Sequence, residues 1–334
     1  MSNTFLLPKI ELHCHLDGSV RPSTLKELSI KEGLIDLTSI ESFESHIRVP
    51  ENCDSLVTYL KCFSIPIAVM QTREHLERIS KELVEDVAAT GVKYIEVRFA
   101  PHLHMEKGLQ YNEIVENVLA GLKEGESSTG TIARLILCCM RHLPIEKSIE
   151  VVELGLPYLG KGVVAVDLAG DEHNFPPEIH EKAFKLAKSL GFKITIHAGE
   201  TGIGANVSTA IEKLHADRIG HGLFIKDDTS AYNLVKSSKI ALEMCPSSNV
   251  QTKGVLTYEE HPIIDFLKSD LLSTLNTDNM TVSNITLNTE FTHLETSLNA
   301  TIEDYWQFYI NAIEAAFATD HEKAYLRSFL PTIS

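Results

Sequence analysis

Two histidines, His13 and His15, lie two residues apart at the end of the apolar run in IELHCHLDGS. Alternate residues of a β-strand point to the same face, so both imidazoles would project to one side. His197 and Asp278 stand near the ends of two later apolar runs, KITIHAGE and LLSTLNTDN. Three imidazole nitrogens and one carboxylate oxygen suit a zinc ion that keeps one position open for water. The sequence therefore predicts one Zn²⁺ per chain.

A second histidine pair tests how much this spacing means. His102 and His104, in APHLHM, have the same separation but follow Pro101, which ends its apolar run. We expect this second pair on a loop outside the metal site. Other runs also end in polar residues, in DLAGDE (167–172), GHG (220–222) and CPSSN (245–249). Because burying so many polar groups is costly, a shared metal is the simplest reason for them.

Short apolar runs rich in β-branched residues must position these side chains. They are KIELHCHL (9–16), KYIEVRFA (93–100), IARLILCCM (132–140), GVVAVDLAG (162–170), KITIHAGE (193–200), DRIGHG (217–222), KIALEMCPSSN (239–249) and LLSTLNTDN (271–279). Amphipathic helical patterns separate them, which is typical of a parallel sheet covered by helices. Eight such units predict an α/β fold, a (β/α)₈ TIM-type barrel whose active site lies where the strands end. An open doubly wound sheet is the alternative.

Two segments exceed the simple repeat, and one domain covering 1–334 accommodates both. Residues from about 17 to 92, between the first two strands, are too many for one crossover helix. We expect a helical insertion on the catalytic face, where it would form a lid with its own apolar core around 55–63. The tail, from about 288 to 334, is expected to form C-terminal helices that close the barrel.

Composition limits the partners. The formal net charge of −16 and the lack of a basic run argue against nucleic acid and anionic membranes. No stretch approaches the roughly 20 apolar residues of a membrane span, and the first residues do not resemble an export signal. The six cysteines form no CxxC pair, so we expect reduced thiols that fill the core of a cytoplasmic protein.

A family resemblance now follows from the motifs. ELHCHLDGS, DLAGDE, HAGE, RIGHG, CPSSN and LNTDN occur in the order found in the adenosine deaminase family of the amidohydrolase superfamily, from Pro8 to about Glu290. The resemblance implies a mononuclear zinc enzyme on a (β/α)₈ barrel. It also implies hydrolysis of 6-amino purines to 6-oxo purines with release of ammonia, with adenosine and 2′-deoxyadenosine as substrates in purine salvage.

The same resemblance implies a role for each matching residue. The zinc ligands would be His13, His15, His197 and Asp278; Glu200 would donate and accept protons, His221 would orient the attacking hydroxide, and Asp278 would hold that nucleophile as well. The substrate would meet His15, Asp17 at the ribose 5′ end, the backbone of Gly170 at purine N3, and Asn279 at purine N7. By residue type alone, Asp17 could instead cap the following helix, and Gly170 could be a turn glycine.

One departure bears on the substrate. The family pattern often reads NTDDP where this chain reads NTDNM, so Asn279 stands in place of an aspartate. An amide can donate a hydrogen bond to N7 without a protonated carboxyl group. The alternative function is therefore deamination of another 6-aminopurine compound: adenine, a methylated adenine nucleotide or an aminofutalosine-type nucleoside.

Two more distant alternatives remain. A two-metal hydrolase of the superfamily would commonly use a carboxylated lysine at the end of strand four, where this chain has DLAGDE. A non-catalytic binding protein on the same barrel would have little use for a complete set of metal and acid residues. We expect a small-molecule purine nucleoside as the partner, and a monomer or weak homo-oligomer.

Overall fold

The computed structural model describes residues 7–34 and 43–331, and its centre is an eight-stranded parallel sheet. The strands are β1 (Lys9–His15), β2 (Val92–Phe99), β3 (Ile132–Met140), β4 (Val163–Ala169), β5 (Lys193–Ala198), β6 (Arg218–His221), β7 (Ala241–Met244) and β8 (Ser273–Leu275). They are ordered β1 to β8, each beside its neighbour in the chain. All eight predicted strands are therefore confirmed.

The first and last strands meet and bring the sheet round into a barrel. Asp278, three residues past β8, forms a parallel bridge with Cys14 of β1. The backbone N–H of His15 donates to the carbonyl of Asp278 at 2.8 Å, and that of Asp278 donates to the carbonyl of His13 at 2.8 Å. The (β/α)₈ barrel is thus confirmed over the open sheet. Its last joint is made by two of the predicted metal-binding segments.

Helices alternate with these strands and surround them. They are α1 (Pro22–Lys31), α2 (Phe43–Ile47), α3 (Leu56–Leu60), α4 (Ser64–Val69), α5 (Arg73–Ala89), α6 (Tyr111–Thr129), α7 (Ile145–Gly155), α8 (Glu181–Ser189), α9 (Ala205–Glu212), α10 (Thr229–Ser238), α11 (Pro246–Gln251), α12 (Ile263–Lys268), α13 (Leu287–Leu298), α14 (Ile302–Ala315) and α15 (Asp320–Arg327). None of these described helices is both long and apolar enough to cross a membrane.

The predicted strand at 239–249 ends well before its apolar run does. The run at 239–249 is a strand only as far as Met244, because Pro246 opens α11. A proline fits the first turn of a helix, where its missing N–H has no partner to lose. As a result, Ser247, Ser248 and Asn249 lie on a short helix beside the barrel mouth rather than on strand seven.

The described part of the long segment between β1 and β2 contains five α-helices. The last of them, α5, begins at an N-cap in which the Thr72 side chain accepts from the N–H of His75, and it returns the chain to β2. The short helices α2, α3 and α4 precede it. Residues 35–42 of the expected insertion lie outside the described residues. All six cysteines are buried with unpaired thiols, as their predicted packing role requires.

Candidate active site

The four predicted metal ligands meet at the carboxyl ends of the strands. His13 and His15 come from β1, His197 from β5, and Asp278 from the residues after β8. His15 Nε2 lies 3.2 Å from His197 Nε2 and 3.3 Å from Asp278 Oδ1, and His13 Nε2 lies 3.4 Å from the same oxygen. Ligands bound tetrahedrally at about 2.0–2.1 Å from zinc are separated by about 3.3 Å. The spacing of these atoms therefore fits a single ion.

An unpartnered ring nitrogen of His13 also supports an ion at this position. Its Nε2 is buried and has no hydrogen-bond partner among the described residues. A buried nitrogen in that position loses free energy unless a ligand or ion satisfies it. Four groups that could bind a metal (His13, His197, His221 and Asp278) also have their nearest ligand atoms within 4.8 Å of one another. His221 thus lies close enough to compete with His15 for the ion.

Two buried carboxylates orient the histidines from behind. Glu243 Oε2 lies 2.8 Å from His13 Nδ1, and Asp167 Oδ2 lies 3.0 Å from His197 Nδ1. A carboxylate at Nδ1 fixes the proton there and leaves the Nε2 lone pair facing the metal position. Neither Asp167 nor Glu243 was given a role by the sequence motifs. An acidic residue inside the apolar strand ALEM was the available signal.

Arginines hold these carboxylates in the charged form. Arg98 donates to Asp167 Oδ2 at 3.0 Å and to Glu243 Oε2 at 2.7 Å. Arg218 donates to Glu243 Oε1 at 2.5 Å. Burial alone would raise the pKa of Glu243, but attraction to the two guanidinium groups outweighs it and holds the pKa well below its usual range. The ion site therefore rests on a fully buried and paired ionic layer.

Glu200 lies on the turn that follows β5, and a second acid holds that turn in place. The carboxylate of Glu172 accepts from the backbone N–H groups of Gly199 at 2.6 Å, Glu200 at 2.8 Å and Thr201 at 3.2 Å. Glu172 belongs to the DLAGDE motif, yet sequence analysis gave it no role. Burial, assisted by repulsion from Asp278 and Glu172, raises the pKa of Glu200 well above its usual range. Its side chain is thus poised to carry a proton.

His221 and Asp278 both adopt left-handed backbone conformations. Their φ angles are 63° and 62°, a region that costs free energy for residues other than glycine. His221 Nε2 lies 3.8 Å from Glu200 Oε2. Strain of this kind persists where surrounding contacts over-determine the backbone, which is common at functional sites.

A cavity of about 350 Å³ opens above these side chains. We call its polar base the floor, which consists of His15, His197, Glu200, His221 and Asp278. We call its apolar cover the roof, which consists of Leu56, Leu60, Phe63 and Ile67 from the segment containing α3 and α4. The apolar residues around 55–63 therefore line the cavity as well as packing within the insertion. Volume and lining are typical of a small-molecule site.

The three predicted substrate contacts beyond the floor also line this cavity. They are Asp17, Gly170 and Asn279. Burial raises the pKa of Asp17 to about 6, and Gly170 has a φ of 104° that exposes its backbone at the end of β4. Asn279 Oδ1 is buried with no hydrogen-bond partner among the described residues. A side chain at Gly18 would place its Cβ 1.8 Å from that oxygen, so only glycine leaves room for Asn279.

The second histidine pair lies elsewhere, as expected. His102 and His104 belong to a short 3₁₀ helix, Pro101–His104, that follows β2. His104 is buried and stacks on Phe99 with ring centroids 5.6 Å apart, and His102 lies 3.1 Å from Glu150 Oε2. Neither imidazole lines the cavity.

Comparison with known families agrees with this geometry. The family model described as adenosine deaminase matches residues 8–332. The chain belongs to the adenosine deaminase family. A protein of Clostridium botulinum (strain Okra / Type B1) named adenosine deaminase is 52% identical over 331 residues, which covers 98% of each chain. The family, the site and the relative together identify an enzyme that acts as a deaminase on a small purine compound, with a metal as cofactor.

Solved structures share the whole barrel. The adenine deaminase of Arthrobacter aurescens superposes with a TM-score of 0.90 at 26% identity and covers 97% of this chain and 98% of its own. An amidohydrolase from Burkholderia ambifaria, solved with bound Zn, gives a TM-score of 0.87 at 27% identity over 97% of this chain and 89% of its own.

Proposed function

We propose that this protein deaminates adenosine and 2′-deoxyadenosine to inosine and deoxyinosine, with one Zn²⁺ held by His13, His15, His197 and Asp278. The observation that carries the proposal is the convergence of these donors, with spacings of 3.2–3.4 Å, in a cavity that the buried acid Glu200 also lines. Three nitrogens and one oxygen form a typical catalytic zinc set, and zinc is the ion bound in the Burkholderia amidohydrolase. A bound zinc ion lowers the pKa of a coordinated water from about 15.7 to about 7.

Glu200 would supply the proton that the purine ring needs. Attack of water at C6 pushes an electron pair onto N1, and a proton delivered there prevents a full negative charge from developing. The raised pKa of Glu200 favours the protonated carboxyl, which is the form that can donate. The carboxylate left behind would recover one proton of the attacking water and pass the other to the amino group, which departs as ammonia as the C6 carbonyl forms. General acid catalysis of this kind is typically worth about 10²–10⁴-fold.

Two neighbours would control the attacking water. Asp278 can accept a hydrogen bond from it, since the backbone bridge to Cys14 fixes where the carboxylate points. His221 stands beside Glu200 and can stabilise the charge that develops as the C–O bond forms. The roof would exclude bulk water, which strengthens each of these electrostatic contacts.

The lining of the cavity favours a nucleoside over the alternatives. Asp17 and Asp171 lie at its wall, and among the described residues that line it none is a lysine or an arginine. A nucleotide phosphate would therefore meet negative charge without a cationic partner, whereas Asp17 can hydrogen-bond a ribose hydroxyl. Asn279 would use its amide as the donor to purine N7.

Free adenine is the second candidate, because the Arthrobacter structure with the same barrel is named an adenine deaminase. Loss of absorbance near the adenosine band, measured with zinc and with a chelator, tests both candidates across a panel of 6-aminopurines. We expect the highest kcat/KM for adenosine or 2′-deoxyadenosine and no turnover with the chelator. A higher kcat/KM for adenine, or full activity without metal, would overturn the proposal.

A further inference from the structure

Two buried polar residues, Asn249 and His261, extend from the far side of His221, and their catalytic meaning rests on the proposed function. Asn249 on α11 places its amide nitrogen 3.1 Å from His221 Nδ1, and its amide oxygen lies 3.1 Å from His261 Nε2. His261 in turn lies on the chain just before α12, and its Nδ1 is 3.3 Å from the backbone nitrogen of Ile263. All three side chains are buried.

We call the chain of hydrogen bonds from the Ile263 amide through His261 and Asn249 to His221 the row. The direction of each bond in the row can be deduced from its Ile263 end. A backbone N–H can only donate, so His261 Nδ1 must be an acceptor and carries no proton. A neutral imidazole with a bare Nδ1 has its proton on Nε2, and that proton must go to an oxygen. Burial, assisted by repulsion from Lys226, lowers the pKa of His261 to about 3, which agrees with the neutral form. Asn249 therefore turns its oxygen to His261.

The same reasoning determines which ring nitrogen of His221 carries the proton. With its oxygen used by His261, Asn249 presents its NH₂ group to His221 Nδ1, which must accept. A neutral His221 then carries its proton on Nε2, the nitrogen that faces Glu200 and the metal ligands. A protonated Nε2 has no lone pair for a metal. This resolves the competition between His15 and His221, although both lie within reach of one ion.

We propose that Asn249 and His261 are positioning residues that hold His221 as the Nε2–H tautomer. In that form His221 is a fixed donor to the oxygen that attacks the substrate, and it is neither a metal ligand nor a resting base. The donor would cost no reorganisation during the reaction, since its direction is set by the row that ends at the Ile263 amide.

The first test needs no variant of the row and no substrate. Long-range ¹H–¹⁵N correlation spectra of ¹⁵N-histidine-labelled, zinc-loaded protein report which ring nitrogen carries the proton, and a His221→Gln variant identifies the His221 signals. We expect a protonated Nε2 and a bare Nδ1. A proton on Nδ1, or signals of a metal-bound ring, would overturn the proposal. This outcome is independent of whether adenosine is the substrate.

The second test reverses the polarity of the row. Asn249→Asp keeps an acceptor for His261 but can only accept from His221, so the proton moves to Nδ1. We expect kcat to fall by about 10²–10³-fold, the loss typical of removing one donor aimed at developing charge, with KM and zinc content nearly unchanged. The exposed Asn112 of α6 provides the control, and Asn112→Asp should leave kcat unaltered. An unchanged kcat in Asn249→Asp would contradict the proposal, and if that variant does not fold, the wild-type spectrum decides.

Discussion

The floor and the roof of the cavity are built by different means. The floor draws its side chains from β1, β5 and the turn after it, β6 and the segment after β8, and buried partners fix His197 and His221 from behind. The roof comes from one continuous segment, Leu56 to Ile67, whose cavity-lining residues Leu56, Leu60, Phe63 and Ile67 are half-buried. The placement of a floor side chain therefore depends on contacts between distant parts of the chain. A roof side chain contributes mainly the apolar area that it presents to the cavity. Substitutions in the floor should therefore reduce activity far more than substitutions in the roof.

Asp278→Ala should have the largest effect, because it removes a predicted ligand oxygen while the backbone bonds of residue 278 to β1 remain. We expect the purified variant to lose most of its zinc and to show the residual rate of chelator-treated wild type. Elemental analysis and steady-state rates measure the two effects. Asp265→Ala, at an exposed position of α12, is the matched control. Normal metal content and rate in Asp278→Ala would exclude this residue as a ligand.

Glu200→Gln should separate the acid from the metal. The amide keeps the size of the side chain but cannot deliver a proton, so we expect kcat to fall by about 10²–10⁴-fold with zinc retained. Rates and metal content are measured on the same preparation. Glu212→Gln, at an exposed position of α9, should behave as wild type. A rate near that of the wild type in Glu200→Gln would show that the proton comes from another group.

Glu243→Gln tests the layer beneath the floor. Removing the charge weakens the hold on His13 Nδ1, and we expect zinc affinity to fall by about 10–100-fold in a competition titration with a chelator. Glu290→Gln is the control, because burial raises the pKa of Glu290 to about 8 and its carboxyl is already neutral at pH 7. Equal zinc affinity in the two variants would mean that Glu243 does not orient the ligand.

Leu60→Ala, in the roof, should have the smallest effect on catalysis and so sharpen the contrast with the floor. Losing part of a half-buried apolar contact with the substrate is worth about 1 kcal/mol, so KM should rise about five-fold while kcat changes less. Val57 on the same helix is 49% exposed and lies outside the cavity lining, so Val57→Ala is the control. A fall in kcat as large as that of Glu200→Gln would give the roof a chemical role.

The sequence predicted much of this molecule because its signals are local. Apolar runs marked all eight strands, and period-two alternation placed His13 and His15 on the same side of β1. The motifs predicted which residues would meet, and the spatial proximity of His13, His15, His197 and Asp278 agrees with that prediction. Pro101 correctly separated the second histidine pair from the site. Strand ends were less accurate, as at Pro246, because a helix there competes with the strand.

What the tertiary structure alone decided is how these side chains are held. Glu243 is 230 residues from the histidine it orients, and the row from Ile263 to His221 joins segments that share no sequence pattern. The left-handed backbone at His221 and Asp278 is likewise a feature that residue type does not predict. Periodicity reports which way a side chain points along its own strand. The proton on a ring nitrogen depends on a partner brought close by folding, which no local pattern records.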